Sequence, residues 1–374
     1  MARHCNHSSR PLPRARRRWQ VACAAAVMAC ATIAAAADEL PFAGVWTGTI
    51  GDSRVQVCFS ALEAHYYYLR HLRGIPLRRN EQATGYSEWE ETLPGPAAGG
   101  EVSGRWTLSS ATNRVMEGAW TTPDGARRLP IKLTKIADLA TDQGPASSER
   151  YPCGDAFYRP LEQALRYTHQ PGRFRGVPYR VIKTRYGDAF ELPASAPAAT
   201  AFNRFVRSWL ASQLVSAYGC TMGGGEEWHK ELKPIVWTSR FLVVEDRLPD
   251  TFCGGAHSNW MVEHHTFDLT TGGRVDTWSW IQGGNKTLAP ALYDHRPSAL
   301  RGLLEKLNPR QDCRENDGSM YFNAPYPTKS GLVFRSMYPH VVRACEDEIL
   351  VSYKRLAPYL TSAGRAAAAE MAKP

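Results

Sequence analysis

The 374-residue sequence predicts an α+β protein, in which an N-terminal antiparallel β domain precedes an α+β domain with a mixed or antiparallel sheet and a few helices. Three observations carry this expectation. From Phe42 to about Leu133, Gly and Pro punctuate short runs in which apolar and polar residues alternate, as Val55, Val57 and Phe59 do against Arg54, Gln56 and Cys58. That period of two is what a half-buried strand requires. From Thr200 to Val215 the period changes, and Phe202, Phe205, Val206, Trp209 and Leu210 fall at three- and four-residue spacings on one helical face. Finally, the roughly 337 residues left after a leader exceed what one hydrophobic core usually serves.

The elements follow in order. A Gly-x-Trp unit recurs at Gly44 to Trp46, Gly104 to Trp106 and Gly118 to Trp120, and each is read as the start of a strand, with Gly admitting close approach and Trp filling the core. The first superficially resembles the opening of a lipocalin, but the unit is short and a lipocalin needs eight strands and a ligand cavity besides. Residues 141–152, polar and rich in Gly, Ser and Pro, read as a linker between a β domain at 38–140 and an α+β domain at 153–362. Pro234 to Val244 and Met261 to Leu269 are β-rich runs, and Thr270-Thr271-Gly272-Gly273 supplies a hairpin turn. Ser298 to Leu307 is an amphipathic helix on Leu300, Leu303, Leu304 and Leu307. Tyr321-Phe322, Leu332 to Arg335 and Ile349 to Tyr353 close the sheet, a short helix begins near Lys354, and 363–374 reads as a disordered tail.

Residues 1–37 read as a signal peptide. Six arginines with no acid precede an Ala-rich apolar run, and small residues at Ala35 and Ala37 stand just before Asp38. Two rivals are a poor lipobox at Val27 to Cys30, with Cys30 lipidated, and an uncleaved anchor. A periplasmic or secreted protein with no stable membrane span after cleavage is the expectation. Loss of the leader takes six basic residues and no acids, so the formal charge falls from +9 to +3. Nucleic-acid binding, which needs a concentrated basic stripe, is not expected. Processing also leaves six cysteines, Cys58, Cys153, Cys220, Cys253, Cys313 and Cys345, an even number suited to disulfides in an exported chain. Fifteen pairings are open, with Cys220 to Cys253 and Cys313 to Cys345 the local choices. No Cys-x-x-Cys pair suggests a zinc ribbon or a redox site.

The segment Phe252-Cys253-Gly254-Gly255-Ala256-His257-Ser258-Asn259, followed by Thr266-Phe267-Asp268-Leu269-Thr270-Thr271-Gly272, carries a resemblance. Together with Gly331 to Phe334, Tyr338-Pro339 and Val351 to Leu356, it is similar to the bacterial extracytoplasmic domain of unknown function found in the lysozyme-binding anti-sigma factor of Gram-positive bacteria. The resemblance spans roughly 179–360. It implies recognition of a lysozyme-like protein or of peptidoglycan-related material. No long segment precedes the hydrophobic run, as one does in the anti-sigma factor, so a direct sigma-factor role is not expected.

Chemistry in the sequence gathers near the same segment. The loop Cys253 to Trp260 offers His257, Asn259 and Trp260 as contact residues. A metal-dependent hydrolase acting on envelope glycans or peptides is the alternative, with His257, His264 and Asp268 as zinc ligands and an open position for water. Strand alternation sets His264 with Thr266 and Asp268, and His265 with Glu263 and Phe267. There is no Gly-x-Ser-x-Gly elbow and no His-Glu-x-x-His helix. Gly223-Gly224-Gly225-Glu226-Glu227 lacks the Lys-Ser/Thr of a phosphate loop. The sequence therefore favours a binding or accessory protein of the cell envelope over an enzyme, and no cofactor is expected outside the zinc alternative.

Overall fold

The computed structural model describes residues 42–60, 64–80, 87–93, 101–139, 152–222, 224–225, 228–253, 257–282, 298–310, 312–313, 321–338 and 340–373. Residues 1–37, expected as a signal peptide and including Cys30, most of the expected linker at 141–152, and Glu226 and Glu227 lie outside them.

The alternating N-terminal runs close on themselves. Strands β1 (Gly44–Ile50), β2 (Ser53–Phe59), β3 (Ala64–Tyr68), β4 (Gly74–Arg79), β5 (Glu88–Thr92), β6 (Val102–Ala111), β7 (Val115–Thr121) and β8 (Arg128–Ala137) pair antiparallel in sequence order, and β8 returns to β1. Eight strands leave an interior just wide enough for side chains to fill. Here Trp46, Phe59, Tyr66, Trp89, Trp106 and Met116 fill it. The antiparallel β domain is thus a closed barrel, and its interior is packed with aromatics. Gly44 does begin a strand. Gly104 and Gly118 instead lie inside β6 and β7, where the missing side chain makes room for the neighbouring strand: a Cβ on Gly104 would stand 2.3 Å from Trp120 Nε1 of β7, and one on Gly118 2.4 Å from the Thr107 carbonyl oxygen of β6.

The outer wall of the barrel is also buried. Val45, Cys58 and Tyr67 alternate outward and pack on Phe157, Tyr158 and Leu161 of α1 (Gly154–Gln163). The Cys58–Cys153 disulfide ties the start of α1 to β2, and Tyr67 Oη donates to the Phe157 carbonyl at 2.6 Å.

Beyond α1 come β9 (Thr168–Phe174), β10 (Val177–Lys183), β11 (Gly187–Glu191), α2 (Ala199–Met222), β12 (Lys230–Trp237), β13 (Phe241–Thr251), β14 (Asn259–Asp268) and β15 (Arg274–Val275). Their sheet runs β15-β14-β13-β12-β11-β10-β9, and it is mixed because β11 and β12, joined through α2, pair parallel. The amphipathic face of α2 lies on this sheet through Phe202, Val206 and Leu210. The helix continues past the expected Val215 to Met222, where its far end reaches the barrel through Leu214, Val215 and Tyr218. The β-rich run Pro234 to Val244 proves to be two strands broken at Thr238–Arg240, since Thr238 Oγ1 accepts from the backbone N–H of Arg240 and Phe241 and turns the chain.

The remainder builds a second sheet from β16 (Tyr321–Phe322), β17 (Tyr326–Pro327), β18 (Gly331–Met337) and β19 (Glu348–Ser352), with β18 at its centre. Around it lie α3 (Ser298–Leu307), α4 (Tyr353–Leu356) and α5 (Ser362–Met371). The stretch expected as a disordered tail carries α5. Thr361 caps this alanine-rich helix by accepting from Gly364 N, and its small face lets Met371 bury completely. Disulfides Cys220–Cys253 and Cys313–Cys345 complete the set, with the two local pairings the spacing suggested.

Candidate ligand-binding cleft

A cleft of about 770 Å³ opens where the ends of the two sheets meet. Each wall is a loop whose shape follows from its residues. On one side, Leu192, Pro193 and Pro197 line it from the link between β11 and α2, which folds into two turns closed by Ala196 N–H on the Pro193 carbonyl and Ala199 N–H on the Ala196 carbonyl, both at 2.9 Å. Val177 and Pro178 enter from the start of β10. Trp237, at the end of β12, turns its indole into the lining, with Tyr179 and Phe174 stacked on it at centroid separations of 6.2 and 6.4 Å. The neighbouring turn adds Thr238 and Ser239, and the end of β14 adds Leu269 and Thr270.

The opposite rim is charged. Lys329 stands on the β17–β18 turn, and Glu370 and Lys373 come from the end of α5, paired at 2.5 Å. The floor is thus aromatic and proline-rich, hydroxyls ring it, and charge sits at one end. A mostly apolar hollow with a few convergent polar groups is the usual form of a small-ligand site.

The residues singled out from sequence lie elsewhere. His257 is exposed in the loop after Cys253. Asn259 pairs with Thr251 at the beginning of β14. Trp260 is gripped between two guanidinium groups, Arg343 at 4.2 Å and Arg335 at 5.2 Å from its ring centroid, and Arg343 Nη2 also donates to its carbonyl. Both arginines pair with buried Glu346. Trp260 therefore serves as an internal clasp between β14 and the second sheet.

His264 and Asp268 point to one face of β14, as alternation required, but each has its own partners. The His264 ring lies 4.0 Å from that of Tyr326, and its Nε2 is 3.9 Å from Glu245. This neighbour, followed by Lys233 against the opposing cost of burial, holds the Glu245 carboxyl down to about 2. Asp268 accepts from Arg240 Nε at 3.1 Å and from Thr270 Oγ1 at 2.6 Å. Burial pushes its carboxyl up, and these hydrogen bonds outweigh it and leave it below the ordinary carboxylate value. His257, His264 and Asp268 do not converge as ligands of one metal, because four residues of extended strand separate the last two by about 13 Å.

On the opposite face of the sheet, Asp246, Glu263 and His265 bring donor atoms within 4.8 Å of one another. Here Asp246 already receives Trp209 Nε1 at 2.8 Å and faces Lys230 Nζ at 3.0 Å. Burial raises its carboxyl, while His265, Lys230 and Trp209 together bring it below the usual range. Asp246, hydrogen-bonded to Trp209 and paired with Lys230, is a link between α2 and the sheet.

Sequence reasoning missed the cleft because its walls are loops distant in the chain. The available signals were the Pro193 and Pro197 run, to which the sequence assigns no element, and Trp237 beside Thr238 and Ser239, which it places inside one β-rich run.

No family model matches the chain, and no curated protein matches it. Among solved structures, the chain is similar to a DUF3298 family protein from Pseudomonas aeruginosa PAO1, at 15% identity and a TM-score of 0.29, over 53% of this chain and 93% of that one.

Proposed function

We propose that this is an exported binding or accessory protein of the cell envelope, and that the cleft beside Trp237 receives a peptidoglycan-related ligand. The observation that carries this reading is the cleft itself, with an aromatic and proline floor for the apolar face of a sugar or peptide and hydroxyls at its edge for hydrogen bonds. Three disulfides suit an oxidising, non-cytoplasmic compartment. Among the described residues, no helix is long and apolar enough to cross a membrane. Binding would work by recognition, with no bond made or broken by the protein.

The test is calorimetric titration of the mature, disulfide-bonded protein with soluble peptidoglycan fragments. Trp237→Ala is expected to weaken binding at least tenfold. Ser239→Trp, which fills the cleft from an exposed turn position without touching the core, is expected to do the same. Fragment binding unchanged in both variants would refute the assignment. A lysozyme-like protein is the other partner the family resemblance implies. Lysozyme binding that Ser239→Trp leaves intact, with no fragment binding, would move recognition to another surface.

A further inference from the structure

Resting on that reading of the cleft, we propose that its ligand is an acidic saccharide, a sugar ring carrying a carboxylate, and that Lys329 pairs with this carboxylate. Three charged side chains reach the cleft, and two of them, Glu370 and Lys373, neutralise each other at 2.5 Å. Lys329 is left as the uncompensated charge: among the described residues no carboxylate stands within ion-pair distance of it. A lysine ammonium is a compact point charge with three donors, suited to a carboxylate that arrives with the ligand.

The lysine stands on a fixed base. Thr328 N donates to Gly331 O at 2.8 Å, and Thr328 Oγ1 accepts from the N–H of Ser330 and Gly331 at 3.2 Å. From the far side, Tyr353 Oη donates to the Thr328 carbonyl at 2.9 Å. The turn is therefore held at three points, and the exposed side chain it carries extends along the cleft rim. The opposing turn at Thr238 is closed by the same set of bonds and presents Ser239 next to Trp237. Two rigid hairpin tips thus border the cleft, one offering a hydroxyl beside an aromatic ring and the other offering a positive charge. A neutral ligand would leave that charge unused. A sugar bearing a carboxylate engages both.

The experiment compares two disaccharides of equal length that differ in one acidic group. Chitobiose in its N,N′-diacetyl form has no carboxylate, and N-acetylglucosaminyl-N-acetylmuramic acid adds one through its lactyl ether. Calorimetry on the mature protein is expected to show the acidic disaccharide binding at least tenfold more tightly at low salt. Lys329→Met should erase the difference by lowering the acidic ligand to the affinity of chitobiose, and added salt should narrow it in the parent protein. Equal affinities for the two sugars, or a preference that survives Lys329→Met, would overturn the acidic assignment and leave the cleft intact as a neutral-sugar site. Failure of both sugars to bind the parent protein would overturn the cleft reading as well. Because Lys329 is exposed on a turn, unchanged thermal unfolding of the variant verifies that only the charge was removed.

Discussion

Glu91 lies inside the barrel with a side chain almost wholly withdrawn from water. Tyr66 Oη and Trp120 Nε1 each donate to its Oε2 at 2.7 Å, and Ser103 Oγ donates to Oε1 at 2.8 Å. Burial, reinforced by this carboxylate, pushes the Tyr66 phenol far above its ordinary range. Glu91→Ala would strand two buried donors, each costing about 1–3 kcal/mol when unsatisfied, so chemical denaturation should show a loss of about 2–5 kcal/mol. A loss below about 1 kcal/mol would show that water replaces the carboxylate. His65, on the outer wall of the same strand, is held down to about 4 by burial alone, its ring packed 4.9 Å from that of Phe157. The unfolded chain binds this proton near pH 6.5 and the folded chain only near 4. Its contribution is therefore complete above about pH 6.5 and lost as pH falls toward 4. Glu245, held down to about 2, behaves as a depressed carboxylate and loses its contribution between about 4.5 and 2. Unfolding midpoints measured from pH 7.5 to 4.5 in parent and His65→Phe proteins isolate the histidine, and the parent should lose more stability on acidification.

At the scale of elements, one device recurs. Thr112, Thr184, Thr238 and Thr328 each begin a hairpin turn in which the backbone N–H donates to the carbonyl three residues on and Oγ1 accepts from the N–H groups two and three residues on. This side chain satisfies donors the strands leave over. Thr238→Val should loosen the turn beside Trp237 at a cost of about 1 kcal/mol, and the fragment affinity should fall with it. Equal affinity in parent and variant would separate the turn from the site. The same device explains what was illegible in the sequence. Pro234 to Val244 looked like one strand because apolar residues flank Thr238 on both sides, and the polar interruption Thr238-Ser239-Arg240 lacks the Gly or Pro that usually announces a turn. By contrast, the strands of the barrel and the buried face of α2 were legible, since Val55, Val57 and Phe59 or Phe202, Val206 and Leu210 show periodicities no other element shares. Trp260 and His264 were readable as chemistry but not as partners, because Arg335, Arg343 and Tyr326 come from strands and turns more than sixty residues away.

Across the whole molecule, the barrel and the mixed sheet share α1 and α2. Leu214, Val215 and Tyr218 of α2 pack with Tyr67 of the barrel and Phe157 of α1, while Phe202 and Val206 of the same helix cover the mixed sheet. The Cys58–Cys153 bond spans 95 residues of sequence across this junction. A loop of that length makes the bond worth about 2–5 kcal/mol. The paired Cys58→Ser and Cys153→Ser variant should accordingly unfold at a lower midpoint, with its largest gain in hydrogen exchange in α1. Uniform exchange gain through both sheets would mean that the disulfide supports the whole fold and not this junction. The cleft lies between the mixed sheet and the second sheet, held by Trp260 and its two arginines at one place and by His264 on Tyr326 at another. Recognition at such a place depends on how firmly the two sheets are clasped. The most direct measurement is hydrogen exchange of the mature, disulfide-bonded protein with and without a peptidoglycan disaccharide, followed peptide by peptide. Protection is expected at 193–198, 237–240 and 327–331, with none at 257–260. Protection confined to 257–260, or none anywhere at saturating ligand, would contradict the cleft assignment.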